Sequence, residues 1–123
     1  MRRIGVFGFA VGLGVITLCG CEAGLTASFE SPDSGSRIRA VVASADEPDR
    51  SDLRGMVDAL GSDDPALRTL SIAVLERAVG ERFGYDPWAT EANRRRAIDR
   101  WEVWLAQLEE ATPDRISPPP GTP

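Results

Sequence analysis

The longest apolar run in this chain, Ile4 to Leu18, is spent before any domain can begin. At roughly 15 residues it is shorter than the 20 or so that cross a bilayer as a helix, and glycines are scattered through it. Once that run and the flexible ends are set aside, about 75 residues remain to build a core, a size at which folds are only marginally stable. The 123 residues therefore make at most one domain. In a domain that small, function sits on a surface, because an enclosed active site needs more wall than the chain can supply.

The residues flanking the run narrow its meaning. Met1-Arg2-Arg3 is a short basic segment, Ile4 to Leu18 has the length of an export-signal apolar region, and Leu18-Cys19-Gly20-Cys21 follows at once. This looks like the lipobox of a bacterial lipoprotein, with an aliphatic residue three positions before the cleavage point and Gly directly before it. Cys19 departs from the usual Ala or Ser, and is small enough to fit. The resemblance implies a signal peptide at 1–20, cleavage between Gly20 and Cys21, and lipidation of the new Cys21 amino terminus by palmitate-like chains. Each buried methylene contributes about 0.8 kcal/mol, so two or more chains anchor a polar protein that has no spanning helix. Glu22, rather than Asp, follows the cysteine, and the resemblance thus leans to the outer over the inner membrane, on the extracytoplasmic side of the cell envelope. Read as an uncleaved anchor instead, the same run would carry a Gly8 to Gly12 helix-pairing motif. Gly12-Leu13-Gly14 has neither the third Gly nor the helix start of a dinucleotide loop.

Charge and side-chain inventory exclude several classes of function. All 14 basic residues are Arg, and removal of Arg2 and Arg3 leaves 12 Arg against 19 acidic residues, a net charge of −7. That balance gives no basic footprint for phosphate backbones, so no nucleic acid partner is expected. There is no His, and the two cysteines both lie at the end of the export segment. Zinc, disulfides and Ser-His or Cys-His catalysis are therefore not expected, nor is any cofactor. Carboxylate-only chemistry remains open in form, for instance on a glycan through Asp86 and Glu91, but paired acids need a cleft and a raised pKa on one of them. The chain reads as non-catalytic.

Along the mature chain, Glu22 to Gly35 is rich in Ser, Gly, Ala, Asp and Glu and reads, with Cys21, as a flexible tether over 21–35. Residues 112–123, ending Ser117-Pro118-Pro119-Pro120-Gly121-Thr122-Pro123, read as a disordered Pro-rich tail. Between them, over 36–111, the spacing predicts an all-α domain of about four helices. Ile38, Val41, Val42 and Ala45 follow one buried stripe, and Leu53, Met56, Val57 and Leu60 repeat it, with Ser51 or Asp52 as cap and Gly61 as stop. A third helix is capped by Asp63 or Asp64, has Pro65 in its first turn and ends near Gly80. Its stripe is Leu67, Leu70, Val74, Leu75 and Ala78, with Ile72 and Val79 to one side, which suits a central helix with neighbours on two faces. The fourth runs from about Thr90 to Glu110. It turns Ala97, Ile98, Trp101, Trp104, Leu105 and Leu108 inward and Arg95, Arg96, Asp99 and Val103 outward.

The stretch Leu53-x-x-Met56-Val57-x-x-Leu60-Gly-Ser-Asp63-Asp64-Pro65-Ala66-Leu67-Arg68 resembles the core of a HEAT repeat. There a helix with spaced leucines meets a short acidic turn, and Asp-Pro, an aliphatic residue and Arg open the next helix; Ser71 and Leu75 match the small and leucine positions that follow. The resemblance implies two HEAT-like helical hairpins, with Ile38-Arg39 and Leu67-Arg68 in corresponding places. Two features depart from the family: solenoids generally stack three or more repeats, and the connection from Gly80 to Ala89 is long and aromatic. A closed four-helix unit is the alternative.

That connection, Glu81-Arg82-Phe83-Gly84-Tyr85-Asp86-Pro87-Trp88, places three aromatics in six residues. Either they seal the open end of a small core, or Tyr85 and Trp88, with Arg95 and Arg96, form an interaction surface. The Arg94-Arg95-Arg96 run is in the same way either a docking patch or a solvated helix face. The expectation is a membrane-anchored interaction module that adapts to an envelope protein partner. A structural envelope lipoprotein and a small-ligand binder using the 83–88 loop are the alternatives.

Overall fold

A computed structural model of the chain describes residues 26–111. The expected signal peptide, Gly20, Cys21 and the Pro-rich tail at 112–123 lie outside the described residues. Within them the fold is all-α, with four helices: α1 (Ser34–Ala43), α2 (Arg50–Ala59), α3 (Pro65–Val79) and α4 (Glu91–Ala111).

Each helix starts on a polar side chain that takes up amide groups the first turn leaves unpaired. Asp33 caps α1, its carboxylate accepting from the Ser36 amide at 2.7 Å, and that bond holds the carboxyl below the ordinary aspartate range. At α2 the cap is Asp49, not Ser51 or Asp52. Asp49 accepts from the Asp52 amide while the Asp52 side chain accepts from the Asp49 amide, a reciprocal box that a cap at either expected position would forgo. Asp64 accepts from Ala66 and Leu67, Pro65 opens α3, and Gly80 closes it with φ +82°, a left-handed conformation that suits glycine. The Thr90 hydroxyl accepts from the Asn93 amide in the first turn of α4.

The packed domain begins earlier than residue 36. Ser28 donates its amide to the Ser36 carbonyl at 3.2 Å, and Phe29 packs half-buried against the core. Its ring lies so close to α2 that a Cβ at Gly55 would come within 2.4 Å of the ring, so any larger residue there would have to displace Phe29. The composition of 26–35 reads as tether, but one aromatic docked on one glycine and one capping aspartate bind it to the fold.

α3 lies against both α1 and α2, as expected for a central helix, and α4 lies against α2. Covered from two sides, α3 buries Ile72 as fully as Leu67 and Leu75, while Ala78 in its last turn is exposed. Val41, Met56, Leu60 and Trp101 complete the centre of the core. α3 and α4 have no direct backbone seam; the connection between them, residues 80–90, fills that role. Ion pairs join Arg37 to Asp58, Arg54 to Glu109 and Arg82 to Glu76 around the rim.

Candidate functional site

Residues 80–90 contain no helix, yet side chains from the helices hold four of their carbonyls. The Trp101 indole donates to the Arg82 carbonyl at 3.1 Å and Arg100 to the Phe83 carbonyl at 2.9 Å. Arg68 donates to the Pro87 carbonyl at 3.2 Å, and Arg94 to the Ala89 carbonyl at 2.6 Å. Phe83 sits at φ +52° and Gly84 at +75°. For Phe83 that conformation is costly. It persists because the ring meets Trp101 edge-on at 4.7 Å and Trp104 at 6.4 Å, the two tryptophans standing 5.6 Å apart.

Arg68 also donates to the Ser62 and Asp63 carbonyls at 2.9 and 3.0 Å, so one buried guanidinium bolts the α2–α3 turn to the α3–α4 connection. Tyr85 makes a second bolt. Its hydroxyl donates to the Leu60 carbonyl at 2.6 Å, and burial pushes its phenol above the ordinary tyrosine value. Both connections at this end of the domain are thereby tied together.

The expected surface residues divide on this geometry. Tyr85 is 2 % exposed and belongs to the core, so it is not part of any surface; its hydroxyl has its partner inside, in the Leu60 carbonyl. Trp88 is 73 % exposed and does not seal the core. Its amide donates to the Asp86 carboxylate at 2.9 Å, in a turn whose neighbour Pro87 is buried. Arg95 and Arg96 are exposed on the first turns of α4, Arg95 paired with Glu91 at 2.8 Å. Asp86 and Glu91 are both exposed, one engaged in the turn and the other in that ion pair.

A feature that the sequence reading did not single out lies further along α4. Phe83, Asp99, Arg100, Val103, Trp104 and Gln107 line an open recess of about 350 Å³. A second shallow depression runs past Thr90, Ala92, Arg95 and Arg96 and shares Asp99 with the first, so the outer face of α4 is one continuous strip. Val103 is 58 % exposed on it. The signal was present in the sequence as an apolar residue on the polar side of an amphipathic helix.

No family model, no curated protein and no solved structure matches this chain. Among the described residues there is no group of three or more Asp, Glu, His or Cys placed to hold a metal ion, and no helix is long and apolar enough to cross a membrane.

Proposed function

We propose that this chain is a bacterial lipoprotein, cleaved between Gly20 and Cys21 and lipid-anchored through Cys21 on the extracytoplasmic side of the envelope, with the outer membrane favoured. Its helical domain, of HEAT-like hairpin character, acts there without catalysis as an adaptor for another envelope protein. The observation that carries the binding role is Trp88: a large aromatic left in water on a connection whose carbonyls are held by Trp101, Arg100, Arg68 and Arg94. Exposed tryptophan on a rigid support is suited to anchoring an interface, because little side-chain or loop entropy is lost when it docks. Arg95 and Arg96 stand on the helix that follows and supply polar contacts at the rim.

A small-ligand role for the 83–88 loop is weaker, since Tyr85 is consumed by the core and Phe83 by Trp101. A purely structural envelope role predicts no partner that depends on Trp88. Affinity capture of the lipidated protein from detergent-solubilised envelopes, compared between wild type and Trp88→Ala, separates these readings. Loss of one defined companion protein in the Trp88→Ala sample supports the adaptor; identical companions in both samples reject it. The anchor is tested on its own by metabolic labelling with a fatty-acid probe, which Cys21→Ser should abolish and Cys19→Ser should not.

A further inference from the structure

α4 is the longest helix, and only one of its faces is covered by the domain. Along its outer face Arg96, Val103 and Glu110 recur at intervals of seven residues, so they lie on one stripe, each about 10 Å from the next. All three are exposed, and among the described residues neither Arg96 nor Glu110 forms an ion pair. The stripe is positive at one end, apolar in the middle and negative at the other, at equal spacing about Val103. A surface of that kind is complementary to itself.

We propose that this face of α4 pairs with α4 of a second copy, antiparallel, about a two-fold axis through Val103. In that register each Arg96 faces Glu110 of the other copy and Val103 meets Val103 on the axis. Residues beside the stripe keep their side about the axis, so Asp99 faces Ala106 and Arg100, whose side chain turns toward the Phe83 carbonyl, faces Gln107; neither charge meets a like one. The open recess of Phe83, Val103, Trp104 and Gln107 is covered from both sides of the axis. Parallel pairing would set Arg96 against Arg96 and Glu110 against Glu110, which is why the antiparallel arrangement is the one the charges select. One helix face of about 30 Å buries less than the 1,000 Å² or so of a permanent interface, so the dimer is weak and its population follows local concentration. The inference rests on reading the outer face of α4 as a contact surface, and is independent of the lipid anchor.

The test is disulfide trapping in the full-length chain, purified in detergent and treated with a mild oxidant. Val103→Cys places a thiol on the axis; Ser51→Cys, exposed on α2, and the wild-type chain give the background of random collision and of the native cysteines. Val103→Cys should give a dimer band on a non-reducing gel at least about fivefold above both controls. Added to Val103→Cys, Arg96→Glu or Glu110→Arg alone should lower that yield several-fold, and the two together should restore it, since the pairs re-form with charges exchanged. Trapping at control level overturns the proposal, as does a double exchange that fails to restore. Trapping by Val103→Cys with no response to any charge change overturns the antiparallel register. Because all the altered side chains are exposed, a far-UV spectrum of each variant matching wild type keeps every outcome decisive. Loss of the Trp88-dependent companion leaves this result untouched, so the adaptor reading and the dimer fail separately.

Discussion

Replacing Arg68 with Met keeps an unbranched side chain of similar reach and removes the guanidinium that holds three carbonyls, those of Ser62, Asp63 and Pro87. Hydrogen bonds to a charged donor contribute about 1.5 to 3 kcal/mol each, and part of that total is returned when a buried charge no longer has to be desolvated. The expected net loss is about 3 kcal/mol, against a total stability of about 5 to 15 kcal/mol for a small domain. In a domain of this size each kcal/mol shifts Tm by roughly 4 to 8 °C, so Arg68→Met should melt about 12 to 24 °C below wild type. Far-UV circular dichroism reads the helices and tryptophan fluorescence reads the connection, through Trp88 and Trp101. Two controls sharpen the result. Arg68→Lys keeps the charge but not the planar fork and should fall between the other two. Because the acceptors are neutral carbonyls, the gap between wild type and Arg68→Met should be nearly the same in 50 mM and 500 mM salt. A Met variant that melts within about 4 °C of wild type would refute the view that this residue bolts the two connections together.

Tyr85→Phe should cost about 1 to 2 kcal/mol through the lost bond to the Leu60 carbonyl. The raised phenol adds a pH signature: its contribution is complete below the ordinary tyrosine range and is lost as pH rises above it, so the wild-type stability should fall at alkaline pH by a step that Tyr85→Phe lacks. Gly55→Ala drives a methyl group into the Phe29 ring and should release the segment before α1, seen as faster limited proteolysis at residues 26–32 with the helical spectrum largely kept. Trp88→Ala should move Tm by no more than a few degrees, whereas Phe83→Ala should cost about 2 kcal/mol or more of stability, the reverse of what equal burial of the aromatics would give.

The limits of α3 were legible because Asp64-Pro65 and Gly80 are local devices that act within four residues of themselves. Spacing alone puts the cap of α2 two or three residues late, since Asp49 and Asp52 are both good caps and only the reciprocal bond between them decides which is outermost. The start of α1 was hidden in a Ser- and Gly-rich stretch. Composition there describes an average, and a single docked Phe29 opposite Gly55 is invisible to it. The aromatic connection was readable as a sealing element, and Phe83 and Tyr85 do seal. Trp88 does not, because sequence gives the cost of leaving an aromatic in water but not the number of sites open to receive one. Arg68 stood in the sequence as one element of a repeat-like spacing; its partner at Pro87 lies 19 residues away, beyond any local rule.

The docking of Phe29 sets the length of leash between the domain and the proposed lipid at Cys21. If the leash ran to Gly35 it would comprise about 14 residue steps, with a fully extended reach near 50 Å; fastened at Phe29 it has about eight, and a reach below 30 Å. The layer above the bilayer that tethered domains occupy thins in proportion to that reach, so the same number of molecules on a given area of bilayer is concentrated about 1.8-fold. A single glycine on α2 thus governs crowding at the surface, and Gly55→Ala would act on encounter frequency without altering any contact face.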